Sequence, residues 1–259
     1  MSAETPLLTV RDLAKHYGGR IGCTDISLDL WPGEVLAIVG ESGSGKTTLL
    51  SCLSARLEPS AGSVRYHMRD GEMRDLATLT EAERRLLMRT DWGFVHQNPA
   101  DGLRMRVSAG ANVGERLMAV GKRHYGQLRE AAGDWLARVE IDAARIDDRP
   151  SEFSGGMRQR LQIARNLVTH PRLVFMDEPT GGLDVSVQAR VLDLLRALVS
   201  DLGLSVIIVT HDLAVARLLS QRMIVMKAGR IVEEGLTDRV LDDPHHPYTQ
   251  LLVASIPES

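Results

Sequence analysis

An α/β fold, with a largely parallel sheet lying between helices, is what this 259-residue sequence predicts. The first sign is a set of short apolar runs, Val35–Val39, Leu173–Met176 and Val206–Val209, each followed at once by polar residues. Strands covered on both faces read as such continuous aliphatic and β-branched runs. The second sign is helical spacing between two of them. Residues 187–202 place Val191, Leu194, Leu195 and Leu198 three or four apart, which makes one apolar face. The third is their order, since strand, helix and strand in alternation build a right-handed parallel unit.

The flanks read differently. Leu7–Val10, Asp25–Leu30 and Ser63–Tyr66 have the look of short strands in a separate antiparallel sheet. Residues 98–155 contain no apolar strand run and are rich in Ala, Arg and Leu, so a helical subdomain inserted into the sheet domain is expected there. Towards the end, Arg222–Lys227 and Arg230–Glu234 surround Ala228-Gly229, the pattern of a β-hairpin.

Bulk properties narrow the function classes. The chain is 44% hydrophobic and 25% charged, enough to bury a substantial core. Its net charge of −3 supplies no positive field for nucleic acid or an anionic membrane, so neither is an expected partner. The two cysteines, Cys23 and Cys52, suit a reducing compartment and small apolar packing positions. Met1–Leu8 lacks the basic start and apolar stretch of a secretory signal. No run approaches the roughly 20 apolar residues of a membrane helix. A soluble, cytoplasmic protein without membrane insertion is the expectation.

The residues that carry chemistry begin with Gly40-Glu41-Ser42-Gly43-Ser44-Gly45-Lys46-Thr47, set between an apolar strand and a helix. This is the phosphate-loop pattern. Glycines let backbone N–H groups wrap phosphates where side chains would obstruct, and the helix start adds its positive dipole end. Lys46 can reach the β- and γ-phosphates, and the Thr47 hydroxyl can bind Mg²⁺. The run Leu173–Met176 ends in Asp177-Glu178, at the strand end where α/β sheets bind ligands. Asp177 is placed to hold Mg²⁺, and Glu178 to take a proton from the water attacking the γ-phosphate. Ser154-Gly155-Gly156 precedes a helical stretch with Leu161, Ala164 and Val168 on one face. Ser154 is a natural N-cap, and the glycines expose N–H groups as a second anion site would. Most Ser-Gly-Gly sequences are only a cap and a turn.

The order of these motifs resembles that of the ATP-binding cassette ATPases across essentially the whole chain. That resemblance implies a P-loop NTPase core: an ABC nucleotide-binding domain with a flanking antiparallel β-subdomain and an inserted helical subdomain. The implied division is 1–97 for the β-subdomain and first core segment, 98–155 for the helical subdomain, 156–235 for the second core segment and 236–259 for a helical tail. It also implies site residues. Tyr17 stacks on adenine; Gly40, Ser42, Gly43, Ser44, Gly45, Lys46, Thr47 and Thr48 hold the phosphates of ATP; Gln97 senses Mg²⁺ and the partner. Ser154, Gly155 and Gly156 form the family signature, Asp177 and Glu178 fill the Mg²⁺ and base positions, Asp184 lies in the loop crossing the dimer interface, and His211 contacts the γ-phosphate. One chain has one phosphate loop and one signature, so the family pattern implies a homodimer on ATP binding, with each signature closing over the other chain's nucleotide. Two departures stand out: Phe153 and Met157 flank the signature core, and Gly181-Gly182 replaces more usual residues before Leu183-Asp184.

Variable segments speak to what the ATPase drives. Residues 242–252, Asp-Asp-Pro-His-His-Pro-Tyr-Thr-Gln-Leu-Leu, resemble the ending of oligopeptide- and dipeptide-importer ATPases. The segments 95–104, 107–110, 114–118, 123–126 and 181–190 resemble instead the cassettes that serve carbon–phosphorus lyase systems in phosphonate breakdown. That likeness implies soluble lyase core subunits as partners, with a second cassette ATPase as a further candidate. The segment after Gln97 would then present Arg104, Arg106 and Arg116 to the partner. The nucleotide-binding subunit of a peptide- or phosphonate-type importer is the alternative. No residue here is assigned to breaking a carbon–phosphorus bond.

Overall fold

The computed structural model of the chain describes residues 5–255. Along it run β1 (Leu8–Tyr17), β2 (Arg20–Leu30), β3 (Val35–Val39), α1 (Lys46–Leu53), β4 (Ala61–His67), β5 (Met73–Asp75), α2 (Glu81–Thr90) and β6 (Trp92–Val95). Then come α3 (Pro99–Gly102), α4 (Ala109–Ala119), α5 (Tyr125–Arg138), α6 (Gly155–Leu167), β7 (Leu173–Asp177), α7 (Val185–Leu202), β8 (Ser205–Thr210) and α8 (Leu213–Leu219). The chain closes with β9 (Arg222–Lys227), β10 (Arg230–Leu236), α9 (Thr237–Asp242) and α10 (Pro247–Ala254). It packs as two compact units, one of residues up to Arg84 together with those from Leu204 onward, the other Arg85–Gly203.

The first unit contains an antiparallel sheet in the order β2-β1-β4-β5. The strands expected at 7–10 and 25–30 extend to ten and eleven residues, because polar and apolar residues alternate along a half-buried sheet beyond the purely apolar cores. The same unit holds β3 between β8 and β9, parallel to both, with β10 antiparallel to β9 as the expected hairpin. All five residues of β3 are buried. Val39 pairs with Thr210 on one side and Val225 on the other, so the chain leaves β3 into Gly40 just past the end of β8, while β9 continues two residues further to Lys227.

The second unit contains the parallel pair β6 and β7, with Trp92 opposite Leu173 and Val95 opposite Met176. Between residues 98 and 155 every regular element is helical. Strand β6 escaped the sequence reading because it is four residues long and interrupted by Gly93. Its exposed backbone edge is not left bare. The Asn166 side-chain carbonyl accepts the Phe94 N–H at 2.9 Å, and that of Gln162 accepts the His96 N–H at 2.6 Å. The Gln162 amide nitrogen also donates to the His96 carbonyl at 3.1 Å. Gln159, Gln162 and Asn166 lie three and four residues apart on α6, so one helical face carries buried amides that extend the ladder of an edge strand.

At the end of the first unit, the Glu233 carboxylate accepts the N–H groups of His245 at 2.8 Å and His246 at 3.0 Å. Burial alone would raise its pKa, but the donors of the tail outweigh it and hold Glu233 below the usual carboxylate range. These histidines are therefore backbone donors in a capped turn.

Two outcomes are expected. Gln162→Leu removes the side-chain acceptor of the His96 N–H and one of the amide donors to its carbonyl, to which Gln159 also donates at 3.4 Å, and should lower stability by about 1–3 kcal/mol, read as a lower urea midpoint; an unchanged midpoint would mean that the amide does not secure β6. Because the folded pKa of Glu233 is depressed, its stabilisation is complete above the unfolded pKa and is lost as pH falls through the folded value. Stability should therefore drop more between about pH 5 and about pH 3 in the native chain than in Glu233→Gln, and parallel urea midpoints across that range would contradict it.

Candidate functional site

In the first unit residues 40–47 lead from the end of β3 through a loop into the first turn of α1. Gly40 has φ 149° and Gly45, the N-cap of α1, has φ 104°. A Cβ on Gly40 would lie 2.3 Å from the Met226 carbonyl oxygen, and one on Gly45 2.3 Å from that of Gly22. Only glycine fits either position, by conformation and by space. Lys46 is 6% exposed, and its ammonium donates to the Gly40 carbonyl at 2.7 Å and the Glu41 carbonyl at 2.9 Å. The buried Ser44 hydroxyl has no hydrogen-bond partner. A glycine-only turn at a helix start, with a buried ammonium and an unsatisfied hydroxyl, suits a polyphosphate ligand.

Other expected residues of this unit fall around the loop. Tyr17 is 49% exposed. The space above Gly22 is closed by the Tyr17 ring and the Thr48 methyl, each 2.9 Å from where a Cβ would stand, so these two side chains flank one glycine. His211 follows β8, the neighbour of β3, and is exposed. Its turn is tied by Asp212, whose N–H donates to the Thr210 hydroxyl at 3.0 Å and whose carboxylate caps α8 through the Ala214 N–H at 2.9 Å.

In the second unit, β7 delivers Asp177 as its last residue and Glu178 directly after it, both half-buried. Glu178 has φ 45°, a left-handed conformation that costs a non-glycine residue of order 1–3 kcal/mol and persists only where the surroundings impose it. The turn continues with the Gly181 N–H donating to the Glu178 carbonyl at 2.9 Å. A Cβ on Gly181 would meet the Gln97 amide nitrogen at 3.0 Å, which brings Gln97 against this turn and gives the glycine a steric reason. Asp184 is exposed at the N-terminus of α7.

Ser154 caps α6, its hydroxyl accepting the Met157 N–H at 3.3 Å. A Cβ on Gly156 would stand 2.4 Å from the Val187 side chain, and one on Gly155 3.6 Å from that of Leu183, so the segment packs on the start of α7 beside Asp184. Arg145 accounts for both unusual neighbours. Its guanidinium sits 4.6 Å from the centroid of the buried Phe153 ring and donates to the Met157 sulfur at 3.4 Å. An ion pair to Asp148 at 2.6 Å holds it there. Long-range contacts of this kind leave no periodic trace, so neither Arg145 nor the α6 amides could be picked out beforehand.

One expectation needs correcting. Arg116 does not face a partner: its guanidinium donates to the Met88 and Trp92 carbonyls at 2.8 and 2.7 Å. Burial pushes its pKa down to about 10. Helical periodicity marks which face an arginine lies on, but not whether backbone carbonyls wait beneath it. Arg104 is exposed and paired with Glu115 at 2.8 Å, and Arg106 is exposed. No helix among the described residues is long and apolar enough to cross a membrane.

Residues 23–181 match the ABC transporter family, and residues 232–259 match the C-terminal region of oligopeptide/dipeptide transporters. A protein of Escherichia coli (strain K12), PhnK, named for phosphonates utilization and ATP binding, is 68% identical over 97% of this chain and 98% of its own length. A Brucella ovis protein named for peptide import and ATP binding is 41% identical over 98% of this chain and 80% of its own. The dimeric post-hydrolysis structure of the ATP-binding cassette MJ0796 with ADP and Pi gives a TM-score of 0.78 at 28% identity, covering 89% of this chain and 98% of that one. The structure of cbiO1 from Clostridium perfringens, part of the ABC transporter complex cbiONQ, gives 0.79 at 30% identity, covering 93% and 92%. With the phosphate loop, the Asp177-Glu178 turn and the capped Ser154 helix in place, the chain belongs to the ABC transporter family and is an ATP-binding cassette ATPase.

Proposed function

We propose that this ATPase works as a pair of chains that hydrolyse Mg-ATP to drive conformational change in a carbon–phosphorus lyase complex during phosphonate breakdown. The observation that carries the destination is the nearly full-length likeness to the phosphonates utilization protein of E. coli. The importer reading draws on the oligopeptide/dipeptide region matched at residues 232–259 and on the peptide-import relatives. It ranks second because those relatives are far less similar over the same span.

In this reading the first unit holds the nucleotide. Tyr17 stacks on adenine, and the N–H groups of Gly43 to Thr48 with the Ser42 and Ser44 hydroxyls surround the phosphates. Lys46 exchanges its two loop carbonyls for β- and γ-phosphate oxygens, a charge-assisted gain. Thr47 and Asp177 would hold Mg²⁺, with Gln97 as a further ligand; the ion would neutralise negative charge developing on the phosphates. Glu178 accepts a proton from the attacking water, and His211 bonds the γ-phosphate. Ser154, Gly155, Gly156 and Asp184 act on the nucleotide of the opposite chain, so ATP joins two copies and hydrolysis loosens them. The dimeric cassette structures that this chain resembles support the pairing.

Two tests follow. Glu178→Gln should lower turnover by about 10²–10⁴-fold while an ATP-bound dimer persists on size-exclusion chromatography; retained turnover would refute the base assignment. Tagged protein from phosphate-starved cells should co-purify with lyase subunits, and growth on a phosphonate as sole phosphorus source should require the gene. Co-purification with a membrane permease and unimpaired growth would favour the importer reading.

A further inference from the structure

Glu41, the second residue of the phosphate loop, donates its backbone N–H to the phenolic oxygen of Tyr248 at 3.0 Å. The partner comes from the first turn of α10, 207 residues further along the chain. Tyr248 is 5% exposed, so its hydroxyl is held in place and not sampled from solvent. The Lys227 ammonium lies 4.7 Å from the centre of its ring, close enough for a cation–π contact. The turn leading into α10 is fixed by Glu233 through the His245 and His246 N–H groups, and the His246 ring accepts the N–H of Tyr248 itself at 3.1 Å.

The same C-terminal stretch touches the loop twice more. The Gly229 N–H donates to the Ser44 carbonyl at 2.9 Å, and the Met226 carbonyl closes the space over Gly40. Lys46 meanwhile donates to the Glu41 carbonyl at 2.9 Å. Glu41 is thus gripped on its N–H side by Tyr248 and on its carbonyl side by Lys46 and by the Ser44 N–H at 3.1 Å. When Lys46 turns to a phosphate, its share of the carbonyl-side grip is given up, and the Ser44 N–H and the Tyr248 bond remain to hold Glu41.

We propose that Tyr248 is a positioning residue for nucleotide binding, its hydroxyl keeping the phosphate loop in its receptive shape after Lys46 leaves for the ligand. The proposal rests on the reading that Gly40–Thr47 binds the phosphates of ATP. A loop already shaped does not spend binding energy on being ordered, so loss of the hydroxyl appears as weaker ATP affinity and not as slower chemistry. One neutral hydrogen bond of ordinary net worth corresponds to roughly 3- to 10-fold in affinity. The histidine-rich tail, which resembles importer endings, thereby becomes part of the nucleotide-binding apparatus.

The test uses the full chain and Tyr248→Phe, which keeps the ring over Lys227 and removes only the oxygen. The dissociation constant for Mg-ATP and the KM should rise about 3- to 10-fold, with kcat at saturating ATP unchanged. Hydrogen exchange should quicken at the Glu41 amide while α10 keeps its protection. Unchanged affinity would overturn the proposal. So would weaker affinity accompanied by loss of protection throughout α10, since that marks a purely structural role. If the native chain fails to bind ATP at all, the phosphate-loop reading falls, and this proposal with it.

Discussion

A polyphosphate carries more negative charge than one lysine can neutralise, and in the proposed reading a short loop of the first unit has to meet that load. The solution is backbone: N–H groups converge only if the chain turns through conformations closed to side-chain-bearing residues, as at Gly40 and Gly45. Such a turn holds its shape only if both ends are anchored. Strand β3 supplies one anchor, buried along its whole length and paired on both edges. Helix α1 supplies the other, with Lys46 as its first residue folded back on the loop. The hairpin β9–β10 and the tail then tie down the Ser44 carbonyl and the Glu41 N–H.

The second unit meets a related demand by different means. Its strand β6 leads directly into Gln97, so the placement of that side chain depends on a short edge strand that sheet pairing secures on one side only. Gln162 and Asn166 secure the other side from α6, the helix that Ser154 caps. One helix therefore carries the signature at its start and braces the strand before Gln97 along its length. The strained φ of Glu178 belongs to the same unit, in a turn closed by Gly181 and filled by Gln97. Arg145 shows how a departure from the usual family pattern is absorbed, since Phe153 and Met157 are the two groups it rests on.

Much of this was legible beforehand. The apolar cores of β3, β7 and β8 stood out because burial on both faces leaves no polar residue inside the run. The glycine turn and buried lysine of Gly40–Thr47 were legible because the pattern is local: glycines, lysine and hydroxyl lie within eight consecutive residues. What stayed hidden depends on pairs distant in sequence. Strand β6 is too short to stand out, Arg116 looked like a surface charge until its carbonyl partners were known, and Tyr248 looked like a mark of importer ancestry. In each case the partner, and not the residue, decides the role.

The central claim is that a preshaped backbone cradle at Gly40–Thr47 receives the phosphates of ATP. Residue-resolved hydrogen exchange of the native chain, with and without Mg-ATP, tests it most directly. The account predicts that ATP slows exchange most strongly at the amides of Gly43 to Thr48, where the N–H groups take phosphate oxygens in place of water. Unchanged exchange there, with ATP-dependent protection confined to other segments, would contradict it.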